Sequence, residues 1–155
     1  MRQFFIGTAF AFHLIYSAAI YLAIAFSLYR IAVNNNVKYP WLAFIPIAQY
    51  AIIGMICEEY ILFGYRIRPL SLILVALELL QLFFSFIFPI GIIINLFFAL
   101  ILHKFYYLFN PQKAWLYAAL SLLGQIPVAI IFYLIKNQPM CMSAGAFPYP
   151  FANRR

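Results

Sequence analysis

Three acidic residues occur in the chain, Glu58, Glu59 and Glu78, and only Glu78 stands inside a long apolar run. Ser71, Glu78 and Ser85 recur every seven residues, with Gln81 one turn on, so all four fall on one stripe if the run is helical. Other apolar runs carry stripes of their own: His13 with Ser17, Asn95 with Ala99 and His103, and Ser121 with Gln125. A carboxyl group at the centre of a bilayer costs about 2.5–3.5 kcal/mol on insertion scales and usually faces a partner or an aqueous path. Turned toward one another, these stripes would gather the groups that lipid cannot solvate. Glu78, Gln81, Ser71, Ser85, Asn95, His103, Ser121 and Gln125 are therefore the candidate site residues, forming an intramembrane polar seam. Their chemistry is that of hydrogen bonding and one ionisable gate.

Bond-making chemistry has no such support. The two His and two Cys stand at unrelated positions with no HExxH and no CxxC, so no metal-ligand set is expected. No GxSxG or Walker A segment occurs. His13 and His103 as haem ligands would lie at different depths, and Cys57 with His103, a conceivable membrane cysteine peptidase pair, has nothing to orient it. The expectation is a non-catalytic protein without metal or cofactor, with Cys57 and Cys141 as unpaired thiols.

Composition says where such stripes must sit. Of the 155 residues, 68% are apolar or aromatic and 8% are charged, far from the roughly half and quarter of a soluble domain. Disorder requires the opposite balance. The chain is expected to be an integral, multi-pass protein of the cell membrane, mostly within the bilayer. Its formal charge of +7 is spread along the chain in ones and twos, which points to lipid head groups rather than to nucleic acid.

At about 20 residues per crossing the chain has room for four spans or five. The apolar stretches are residues 4–28, 70–88, 92–109 and 114–135, with Pro89-Ile90-Gly91 as a tight reversal between the second and third. Residues 40–57 form a shorter stretch, broken at Pro46 and flanked by charge on both sides. If it crosses, five spans distribute the ten Lys and Arg five against five. If it dips in and returns, or lies in the interface, four spans distribute them six against four, which suits the rule that positive charge stays inside. The expected fold is thus an all-α helical bundle of four spans plus a half-helix, one domain over residues 1–136, with an irregular tail at 137–155; five spans are the alternative. Trp41 and Trp115 would join Tyr39 and Tyr107 in an aromatic belt.

The Pro89 reversal also sets depth, placing Ser85 opposite Asn95 and Glu78 opposite Leu102 and His103. A buried Glu78–His103 pair is one expectation. A neutral Glu78 bonded to Ser or Gln is another, and pairing with a separate subunit a third. Along the first span, Gly7 and Ala11, then Ala19, Ala23 and Ser27, have the small-xxx-small spacing that lets helices approach closely, here chiefly for internal packing.

Pro40-Trp41-Leu42-Ala43-Phe44-Ile45-Pro46, with Gly54 eight residues on, resembles a block found in small multi-span membrane proteins of Gram-positive bacteria. Tyr29-Arg30-Ile31-Ala32, Tyr106-Tyr107, Pro111 to Ala114 and Lys136 to Pro139 are similar to that group as well. The resemblance implies that Pro40, Trp41, Pro46 and Gly54 belong to an interfacial element and brings no catalytic residue with it. The expected function is a membrane subunit or effector that docks onto a partner protein in the bilayer or at its cytoplasmic face. The alternative is a small oligomeric transporter or ion pathway using Glu78.

Overall fold

Residues 2–34 contain no proline, and they form one helix, α1 (Arg2–Asn34). It ends at Asn36, whose φ of 53° is the left-handed conformation that asparagine tolerates. The Val37 amide then reaches back to the Ala32 carbonyl at 2.9 Å and closes the last turn. The Asn34-Asn35-Asn36 run is thus the helix stop, and α1 runs six residues past the expected end at 28. Described in this computed structural model are residues 2–62, 65–84 and 88–141, with side chains for 11–61, 65–84 and 91–141.

The protein is mainly helical. After α1 come a 3-10 turn (Pro40–Phe44), α2 (Gln49–Cys57), a hairpin of β1 (Tyr60–Leu62) and β2 (Tyr65–Ile67), α3 (Leu70–Phe84), α4 (Phe88–Phe109), α5 (Ala114–Ser121) and α6 (Gln125–Ile135). The strands are antiparallel, with Ile61 opposite Arg66. Stretches of α1 (Ala11–Asn34) and α4 (Gly91–Phe109) are long and apolar enough to cross a membrane.

Two expected boundaries are corrected. Helix α4 begins at Phe88, so Pro89-Ile90-Gly91 is its first turn and not a reversal. Proline is at home there, because the first amides of a helix have no partner within it. The expected span over residues 114–135 is two helices, separated at Gly124 with φ 127°. Pro127 explains the break, since its ring would collide with the carbonyl four residues earlier and it has no amide to donate. Gly124 adopts the backbone angle that lets the chain turn.

The direction of each element follows from its bonds. Asn34 Nδ2 donates to the Lys136 carbonyl at 2.9 Å, and the Cys141 amide to the Leu108 carbonyl at 2.8 Å, so the ends of α1, α4 and α6 lie together. Helix α5 starts from the same end, four residues after α4 stops. The Tyr106 ring meets Tyr117 of α5 and Phe132 of α6. Helix α5 therefore descends beside α4, and α6 returns. The 40–57 stretch behaves alike: the Tyr21 hydroxyl donates to the Phe44 carbonyl at 2.5 Å, well down α1, and α2 climbs back until Lys104 Nζ reaches the Cys57 carbonyl at 2.9 Å.

The core sits at this Asn34 end. Leu28, Ile31, Ile52, Tyr60, Leu70, Leu74, Ile101, Phe105, Tyr106 and Phe132 are buried there. At the opposite end Phe12, Ile15, Leu82, Phe83 and Ile93 are exposed though strongly apolar. Ala11, Ala19 and Ala23 are exposed too, so of that spacing Ser27 is buried, together with Ala25 and Ala32.

Lys104 has a structural role hidden from the sequence. Fully buried, its ammonium donates to the carbonyls of Cys57 and Glu59 (2.9 and 2.5 Å), capping α2. The Glu59 carboxylate pairs with Arg66 at 3.6 Å and with Arg68. Burial pushes the Tyr60 hydroxyl up to about 12, so it adds no charge to this hairpin.

Candidate functional site

A cavity of about 610 Å³ opens at mid-height of α4, with Phe98 and Ala99 on its wall. Helix α3 contributes Glu78 and Gln81, α4 contributes Asn95, and the α5–α6 break contributes Ser121, Gly124 and Gln125. Helix α2 contributes Gln49 and Tyr50, and α1 contributes Tyr21. Ile24, Leu28, Ile53, Leu102, Val128 and Phe132 make the remaining wall apolar.

Each polar group is held in a particular way. The Tyr50 hydroxyl and the Glu78 carboxyl group are polar neighbours on the wall, and the Tyr50 ring lies 4.8 Å from that of Phe98. Gln81 Nε2 meets Asn95 Oδ1 at 3.5 Å, while Asn95 Nδ2 donates to the Gly91 carbonyl one turn back at 2.9 Å. Ser121 Oγ donates to the Tyr117 carbonyl and so accepts from the Tyr106 hydroxyl, both at 2.8 Å. Gln49 Nε2 donates to the Ala43 carbonyl at 2.9 Å and ties the 3-10 turn to α2.

The cavity brings together five of the eight seam candidates: Glu78, Gln81, Asn95, Ser121 and Gln125. Ser71 is elsewhere, at the crossing of α2 and α3, where a Cβ on Gly54 would fall 2.5 Å from its Cα. Ser85 lies outside the described residues. His103 is also apart from the cavity, stacked on Trp115 with ring centroids 3.8 Å apart. The expected Glu78–His103 pair is replaced by Glu78–Tyr50. The reason is the shifted reversal: with α4 starting at Phe88, Gln81 falls opposite Asn95, so Glu78 stands near Phe98, below His103.

Pro40, Trp41 and Pro46 lie toward the outside, with Trp41 and Pro46 exposed. The polar cavity residues missed from the sequence are Tyr21, Gln49 and Tyr50. Gln49 and Tyr50 are the strongest hydrogen-bonding side chains between Pro46 and Glu58, and that contrast was the available signal.

No known protein family, curated protein or solved structure matches the chain. Its chemistry therefore rests on the cavity: one carboxyl group, four side-chain amides and three hydroxyls within an apolar shell. Among the described residues no cluster of His, Cys, Asp and Glu could hold a metal ion. Cys57 is buried and Cys141 exposed, and neither forms a disulfide.

Proposed function

We propose that this chain is a multi-pass protein of the cell membrane that binds a small solute in its central cavity and passes it across, as a small transporter or ion pathway. The observation that carries this is the meeting of two broken elements, the 3-10 turn with α2 and the α5–α6 pair, at one polar cavity level with the middle of α4. Irregular backbone at bilayer depth is tolerated only where protein or a cavity covers it, and broken helices at mid-depth are how many transporters build their sites. Helices α1 to α6 of a single copy all contribute to the cavity wall.

In this reading α1, α3 and α4 cross the bilayer, while residues 40–57 and 114–135 enter and leave on one face. That is one crossing fewer than the four spans expected, because α6 turns back. Charge supports the arrangement. Arg30, Lys38, Arg66, Arg68, Lys113 and Lys136 then share the Asn34 end, with buried Lys104 beside them and Arg2 at the far end. So strong a bias makes the Asn34 end cytoplasmic. The exposed apolar side chains at the other end exceed the patches a soluble monomer shows and suit acyl chains.

The test is aqueous access. With Cys141→Ser as background, Gln125→Cys should react with a charged methanethiosulfonate in native membranes, whereas outward-facing Ile130→Cys should not. Equal lack of reaction at both positions would sink the pathway.

One observation favours the second reading, a membrane subunit docked on a partner protein. Between residues 11 and 34 of α1 only Ala25, Ser27, Leu28, Ile31 and Ala32 are buried within the chain, and residues 11–20 are almost wholly exposed. Recovery of another polypeptide in fixed stoichiometry from native membranes, lost on changing Phe12 and Ile15 to Ala, would support it.

A further inference from the structure

We propose that the ligand of the central cavity is a monovalent organic cation with an apolar or aromatic body, an inference that rests on the cavity being a binding site. Three features select this class. First, Glu78 is the only formally charged residue on the wall among the described residues, with no Lys, Arg or His beside it there. A carboxyl group in so apolar a place ionises only where a cation accompanies it, and a cationic ligand supplies that charge. Second, the volume of about 610 Å³ lies in the range of small-molecule sites, which run from about 300 to 1,000 Å³, and far exceeds a bare metal ion. Third, the wall around the carboxyl group is aromatic and aliphatic. Tyr50 and Phe98 stand together and Phe132 faces in from α6, so ring faces can share in holding a weakly hydrated cation.

Helix ends do not reverse the sign. The C-terminal end of α5 and the N-terminal start of α6 meet at residues 122–124, where their opposite partial charges offset each other. The amides at the start of α2 are engaged already: Gln49 donates to the Ile45 carbonyl, and Ala51 and Ile52 to that of Ala48. The carboxyl group remains the dominant charge.

The experiment compares three probes of similar shape and different charge in equilibrium dialysis against purified protein in nanodiscs. They are methyltriphenylphosphonium (cation), triphenylphosphine oxide (neutral) and tetraphenylborate (anion). Ala118→Phe, which fills the cavity from α5, defines binding outside it. The expected result is one saturable site for the cation, weakened at least tenfold by Glu78→Gln and lost in Ala118→Phe, with thermal melting confirming that both variants fold. Cation binding unchanged in Glu78→Gln overturns the inference. So does a neutral or anionic probe that binds the cavity as tightly as the cation; the cavity then stands as a binding site and only the ligand class falls. If no probe shows binding sensitive to Ala118→Phe, the cation and the cavity reading fail together.

Discussion

A methyl group added to Gly54 would lie 2.5 Å from the Cα of Ser71, closer than any carbon pair tolerates. Helices α2 and α3 cross there at backbone contact, which puts Tyr50, one turn earlier on α2, within reach of Glu78. Gly54→Ala should push the helices apart and cost about 1–3 kcal/mol, the usual range for overpacking. Differential scanning fluorimetry should show a clear drop in Tm. Gly91→Ala is the control: nothing lies within 4 Å of its Cβ position, and alanine in a helix is worth about 0.5–1 kcal/mol over glycine. An unchanged Tm in Gly54→Ala would contradict the close crossing.

The closeness of the Tyr50 hydroxyl to the Glu78 carboxyl group predicts coupling between two residues that the sequence separates by 28 positions. In a double-mutant cycle of Tyr50→Phe and Glu78→Gln, the interaction energy should be about 0.5–3 kcal/mol. Additive losses would mean that the two groups do not act as a pair.

Lys104→Met keeps the length of the side chain and removes its donors, leaving the carbonyls of Cys57 and Glu59 without their ammonium partner. A loss of about 1–3 kcal/mol is expected for such buried groups. Frayed at its end, α2 should also expose the Cys57 thiol, now buried, so maleimide labelling at Cys57 should accelerate. A variant with wild-type Tm and a still unreactive Cys57 would show that the ammonium does not hold α2.

Sidedness separates the return of α6 from a full crossing. Gln112 and Gln138 are both exposed, one just before α5 and the other just after α6. As single cysteines in a background lacking Cys57 and Cys141, both should label from the same face with an impermeant maleimide in oriented vesicles. Labelling from opposite faces would restore a continuous span over residues 114–135.

Much of this was legible in the residues. A chain with 68% apolar residues and three carboxylates has few polar side chains to place, and periodicity alone put Glu78 and Gln81 on one stripe. The Pro46 break in residues 40–57 was legible too, because proline removes an amide wherever it stands. Helix lengths, polar stripes and the shortage of catalytic groups are local properties, carried by composition and spacing. Direction is not local. Pro127 signals a break in an apolar run, but only the packing of α6 along α1 decides whether the chain continues or turns back. Likewise the pairing of Gln81 with Asn95, centred two residues earlier than the expected reversal, moves Glu78 away from His103, which turns instead to Trp115. Tyr50 becomes the partner because Gly54 lets two backbones touch, a condition set by contact between distant segments that no pattern within either one contains.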